Sequence, residues 1–187
     1  VGPLNAARWL PFLVLVAPLA LTTHGWFAAH AVVMVVLAPF ALVTLGLSAA
    51  AFGLVGAAGG AGAVLGAVVT TAVGRRLGTG WTVIGCHAVT TLGVLTMVLA
   101  GRVGPSSAAL ALLVAGQTLY GVAMGASNSH ETSYRQLVTP DELQARTNTT
   151  LRALNRGVVV VVAPLAGLLA DAWSVVGVLA LSAAGFA

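Results

Sequence analysis

WLPFLVLVAPLALTTHGWFAAHAVVMVVLAPFALVTLGLSAAAFGLVGAAGGAGAVLGAVVTTAVG, residues 9–74, contains no aspartate, glutamate, lysine or arginine. These 66 consecutive positions between Arg8 and Arg75 compare with about 20 apolar residues for one helical bilayer crossing. The stretch therefore has to cross more than once. The rest of the chain agrees: 59% of its 187 residues are hydrophobic and 6% charged, against roughly 25% charged in an ordinary soluble domain, and mean hydropathy is +1.03. A water-soluble fold is excluded on this balance. The formal charge of +4 comes from eight arginines with no lysine. They stand beside apolar runs rather than on one basic face, so a nucleic-acid partner is not expected.

Glycine, proline, serine and arginine clusters interrupt the apolar pattern and mark helix ends. Six segments result, at about 9–40, 48–73, 81–100, 107–127, 143–170 and 173–187, so the expected fold is an all-α integral membrane bundle of six transmembrane helices. The first is read as one long, tilted helix bent at Pro11, Pro18 or Pro39, because splitting it near Thr22–Gly25 leaves a piece too short to cross. Arg8, Arg75, Arg76, Arg135 and Arg146 all fall on one side, which the positive-inside rule makes cytoplasmic; Arg102 is the exception. Both chain ends are then cytoplasmic. Valine as first residue and an apolar run at the end read as a piece of a longer protein. Abundant Ala, Gly, Val and Arg suit a GC-rich bacterial genome, and with it an inner or plasma membrane location. Cys86, alone in an apolar segment, offers neither a disulfide nor a thiolate metal site.

Gly53, Gly56, Gly60, Gly62 and Gly66 in the second segment and Gly121 with Gly125 in the fourth make small-xxx-small spacings that permit close helix contact. They serve bundle packing or a sliding interface. Polar groups inside a bilayer are costly and so mark function. In the first segment these are His24 and His30, with Thr22, Thr23 and Trp26 nearby; His30 shares a face with Thr23, Phe27 and Met34. In the fourth, Gln117, Tyr120, Met124 and Asn128 recur at helical spacing. Two such stripes, Thr23, His24, Phe27 and His30 facing Gln117, Tyr120, Met124 and Asn128, suit an apolar pocket with a few polar anchors for a small amphipathic or aromatic ligand. The competing reading is histidines and polar groups satisfied structurally. His24 and His30 lie about 120° apart around the helix without a carboxylate in their segment, so no metal is expected. Ser127, Ser129, His130 and Glu131 diverge in direction and lack a nucleophile elbow, so no enzyme and no cofactor are expected either.

The connection between the fourth and fifth segments concentrates Glu131, Tyr134, Arg135, Asp141, Glu142, Arg146, Arg152 and Arg156. Thr139, Pro140 and Glu142 read as a capping box opening the fifth helix. Glu131 with Arg135, and Arg152 with Arg156, are i, i+4 neighbours; Asn148 and Asn155, seven apart, lie close to one face. Together with Arg75 and Arg76 these charges either anchor the helix ends or form a network that latches them in one conformation.

The run Ser133-Tyr134-Arg135-Gln136-Leu137-Val138-Thr139-Pro140-Asp141-Glu142-Leu143-Gln144-Ala145-Arg146-Thr147-Asn148, followed by Leu151-Arg152-Ala153-Leu154-Asn155-Arg156-Gly157 and Ala163-Pro164-Leu165-Ala166-Gly167, resembles the late C-terminal half of drug- and siderophore-efflux members of the major facilitator superfamily. Gly74-Arg75-Arg76 resembles the end of that superfamily's cytoplasmic loop motif; its upstream glycine, acid and first arginine would fall on Ala67, Thr71 and Ala72, so the acid is missing here. The resemblance implies helices seven to twelve of a twelve-helix transporter working by alternating access against an N-terminal six-helix half. It implies that segments one and four line the cavity, that two and five contact the other half, and that the activity is proton-coupled export of a small amphipathic compound. The competing classes are a primary pump's permease subunit and a non-transporting membrane scaffold. The expected partners are the lipid bilayer, a small-molecule substrate and the other half.

Overall fold

In a computed structural model the backbone is described over residues 6–187, with side chains at positions 14, 17, 18 and 20–187. Val1 and the side chains of Arg8, Trp9 and Pro11, on which the sequence reading placed the chain start, a topology charge, a helix start and a bend, lie outside the described residues. The architecture is all-α: α1 Ala6–Pro39, a π-helical turn Phe40–Thr44, α2 Ala49–Leu77, α3 Thr79–Val103, α4 Ser107–Val138, α5 Asp141–Ala172 and α6 Val175–Ala184. No strand occurs among the described residues.

Among the described residues, five spans are long and apolar enough to cross a membrane: Ala20–Thr44, α2, α3, α4 and α5. The expected sixth segment forms a short apolar helix. Its ten residues rise about 15 Å at 1.5 Å each, half of a hydrocarbon core of about 30 Å, before a turn in which Gly185 and Phe186 N–H donate to Ser182 and Ala183. α1 is continuous through Thr22–Gly25. At its far end Pro39 has no N–H to give, and the ladder widens into the π turn, where Leu45 N–H reaches Phe40 O at 3.0 Å.

Serines cap three helices through their hydroxyls: Ser48 accepts from Ala51 N–H, Ser106 from Ala109 and Ser174 from Gly177. Gly78, at φ +78°, supplies the left-handed joint that lets α3 begin one residue after α2 ends. α4 runs eleven residues beyond the expected end at Ser127, to Val138. Its polar residues do not break it, because Ser129 and Ser133 turn their hydroxyls back onto the carbonyls of Gly125 and Ser129. The stop comes only at Thr139, held extended before Pro140.

The expected capping box is also corrected. Pro140, not Thr139, occupies the cap of α5, with its carbonyl accepting from Leu143 N–H at 2.9 Å. Thr139 is thereby one residue too far out, and its hydroxyl is buried without a hydrogen-bond partner among the described residues. An orphaned buried hydroxyl costs about 1–3 kcal/mol. Thr139→Val, nearly the same shape, is therefore expected to leave stability unchanged or raise it by up to about 1 kcal/mol. Thermal unfolding in detergent checks this, and a lowered melting temperature contradicts it.

α4 packs between α2 and α3, while α1 packs against α5 and α6, and α6 lies on α3; α1 and α4 touch little. Exchanging the first three helices for the last three leaves this pattern of neighbours unchanged. The α2–α4 contact is backbone on backbone. A Cβ added at Gly62 or Gly66 would run into the carbonyls of Thr118 or Val122, and one at Gly121 or Gly125 into those of Gly59 or Ala63. α3 meets α4 likewise at Gly93 and Gly116. Gly53, Gly56 and Gly60, read with the same stripe, instead lie on the open face of α2 with nothing within 4 Å of an added Cβ. The largest apolar core joins Val33, Val36, Phe40 and Leu45 to Val94, Met97, Leu113, Val178 and Leu179.

Candidate functional site

Four helices enclose a cavity of about 840 Å³. Each contributes residues three or four apart, the signature of one helix face turned inward. α1 supplies Thr23, Trp26, Phe27 and His30, and α4 supplies Met124, Asn128, Glu131 and Arg135. From α5 come Asn148, Leu151, Arg152 and Asn155, while α2 adds only the low wall of Ala63, Val64 and Ala67. The volume falls within the range of about 300–1,000 Å³ usual for small-molecule sites.

Polar bridges tie α1 to its neighbours around this space. His30 Nδ1 and Tyr120 Oη are hydrogen-bonded at 2.6 Å. His24 Nδ1 lies 2.5 Å from Asn155 Oδ1; the amide oxygen accepts, so Nδ1 carries the proton. Thr23 donates to Glu131 Oε2 at 3.4 Å. The two imidazoles therefore serve different helices, and no group of three or more His, Cys, Asp or Glu suited to a metal occurs among the described residues. Around His30 the rings form a stack: Trp26 lies on it at 4.8 Å between centroids with planes 13° apart. Tyr120 lies at 6.0 Å on a near-parallel plane, and Phe186 meets both Trp26 and Tyr120 edge-on.

The expected cavity residues divide accordingly. Thr23, Phe27, His30, Met124 and Asn128 line it. His24 and Tyr120 stand behind the wall, each holding a lining residue in place. Gln117 does not line it, because α2 covers that end of the α4 stripe: its side chain is buried, with Cγ 2.8 Å from where a Gly59 Cβ would be. Its amide oxygen has no partner among the described residues.

Of the expected charge network, Glu131, Arg135 and Arg152 face the cavity, and Arg135 Nε donates to Asn148 Oδ1 at 3.0 Å, linking α4 to α5. Asp141 sits in the first turn of α5 and accepts from Gln144 at 3.0 Å. Arg146 and Arg156 are exposed outside the cavity, as is Arg76 at the end of α2. Arg75 borders a separate cleft of about 280 Å³ with Thr79, Ser133 and His130, where His130 Nε2 lies 3.3 Å from Thr70 O. Trp26 was not singled out as a site residue by the polar-stripe reading, since an apolar face within an apolar helix gives no contrast to find it by, and Phe186, in the turn after α6, backs the Trp26 ring from outside the cavity lining.

No family model matches the chain, and neither a curated protein nor a solved structure does.

Proposed function

We propose that this chain is the C-terminal six-helix half of a secondary transporter of major facilitator type, moving a small amphipathic compound by alternating access. The observation that carries the reading is the cavity: a mixed aromatic and polar space opens between α1, α2, α4 and α5, lined by polar groups from α1, α4 and α5. The exchange-invariant neighbour pattern supports it, since transporters are commonly built from repeated helix triplets with the site where the repeats meet. α2 and α5 keep open faces beside the cavity; only Asn155 and Ala166 of α5 are buried, and these faces suit contact with an N-terminal half.

In this reading the end bearing Arg75, Arg76, Arg135 and Arg146 is cytoplasmic by the positive-inside rule, the protein is multi-pass in a bacterial inner membrane, and the proton gradient drives export. Arg135, Arg152 and Glu131 sit where the cavity mouth has to open and close.

The test is flux in vesicles containing the full-length protein, with an imposed pH gradient and a panel of aromatic and aliphatic amphiphiles. Gradient-dependent movement of some panel members is expected. Phe27→Ala and Asn128→Leu should change relative rates across the panel by about 10- to 200-fold, as removal of lining contacts worth about 1–3 kcal/mol does. Panel-wide absence of gradient-dependent flux, or an unaltered profile in both variants, contradicts the proposal.

A further inference from the structure

Charge inside the cavity is unbalanced. Besides His30, the ionisable side chains among its described lining residues are Arg135, Arg152 and Glu131, two guanidinium groups against one carboxylate. Neither arginine is neutralised by an ion pair among the described residues. Arg135 uses only its Nε, on Asn148, so both terminal nitrogens remain available to an acceptor. Arg152 makes no hydrogen bond among the described residues, and it follows Asn148 by one turn on the same face of α5, about 6 Å along the axis. The Arg135 guanidinium is thus anchored one turn from the exposed Arg152, and two like charges share one end of the cavity.

The other end is aromatic. Met124 precedes Arg135 by eleven residues on α4, about 16 Å, and lies one turn from Tyr120, the hydrogen-bond partner of His30. The cavity is therefore a polarised slot, aromatic at one end and cationic at the other.

We infer that its ligands are amphipathic organic anions, with an aromatic or hydrophobic body against Trp26 and Phe27 and a carboxylate, sulfonate or phosphate head between Arg135 and Arg152. This deepens the transport reading and rests on it. Planar guanidinium groups hold such heads through paired, charge-assisted hydrogen bonds. An ammonium head at the same place meets two positive charges. Were it to seek Glu131 instead, Arg135 would still stand one turn away on the same helix.

A matched series isolates the head group: 1-naphthoate, 1-naphthalenemethanol and 1-naphthylmethylammonium, titrated at one pH and low salt into the full-length protein in lipid nanodiscs, with tryptophan fluorescence as readout. Naphthoate is expected to bind at least about tenfold more tightly than either congener. Arg135→Gln and Arg152→Gln should each weaken naphthoate about tenfold while leaving the alcohol unchanged. The unchanged alcohol affinity certifies a folded cavity, and Arg152, free of structural hydrogen bonds, carries the test if the Arg135 variant does not fold. Equal binding of the three, or preference for the ammonium, overturns the anion assignment and leaves the transport reading standing. Absence of binding by all three, together with absence of their flux in vesicles, overturns both.

Discussion

Gly125→Val is expected to prevent stable assembly of the bundle. An added Cβ at this position would fall within the carbonyl oxygen of Ala63, and the clash is with backbone, which cannot swing aside as a side-chain tip can. Overpacking in a well-filled core costs about 1–3 kcal/mol and occasionally more. Here the top of that range applies, because separating α4 from α2 also loosens the neighbouring contacts at Gly62, Gly66 and Gly121, which have the same character. Apolar driving force between helices is absent in lipid, leaving close packing as the main attraction. The measurement is thermal unfolding in detergent, read by loss of monodisperse protein. Gly85→Ala is the control, since nothing lies within 4 Å of its Cβ; it should be neutral or slightly stabilising through helix propensity. Equal melting temperatures for Gly125→Val and the unaltered protein would falsify the packing account.

Asn155→Leu is the second change expected to matter strongly. α5 has only Asn155 and Ala166 buried, so little of its contact with α1 is sealed off, and the His24–Asn155 hydrogen bond at 2.5 Å is the shortest of its described links across helices. Removing the acceptor leaves the His24 donor partnerless beside an apolar side chain. Interhelical hydrogen bonds in membranes are worth about 0.6 kcal/mol on average and up to about 1.7, and the stranded donor adds its own penalty of about 1–3 kcal/mol. A loss of about 1–2 kcal/mol is expected, with part recovered when His24→Leu is added, since an apolar pair strands nothing. Additive losses in this double-mutant cycle would show that the two side chains do not act as a pair.

Much of the architecture was legible because its signals are long-range and simple. A charge-free run of 66 residues reports multiple crossings whatever the details, and helical spacing correctly put Asn148 and Asn155 on one face, where both line the cavity. Boundaries were less legible. The polar residues after Ser127 resemble a loop in composition, yet serine hydroxyls folded onto preceding carbonyls are compatible with a helix, so α4 continues to Val138. Glycine spacing alone did not distinguish the two sides of α2: Gly62 and Gly66 meet α4, whereas Gly53, Gly56 and Gly60 meet nothing. The Gln117 stripe identified a real face of α4 but not which part of it a neighbouring helix covers. That depends on where α2 crosses, which periodicity within one helix does not encode.

The interleaved neighbour pattern also sets an order of events during synthesis. α2, α3 and α4 are one another's main partners, apart from the α3–α6 contact, and are consecutive in the chain. They are able to associate as soon as α4 leaves the ribosome. Of these six helices α1 is synthesised first, yet its main partners are α5 and α6, and α5 begins only at Asp141. At about 5–20 residues per second, the hundred residues separating them keep α1 waiting on the order of 5–20 seconds. Throughout that interval His24 and His30 lie in a nascent helix whose polar partners Asn155 and, until α4 docks, Tyr120 are still to come. The earliest made of these six helices is among the last to be locked, and until then its polar groups wait for their partners.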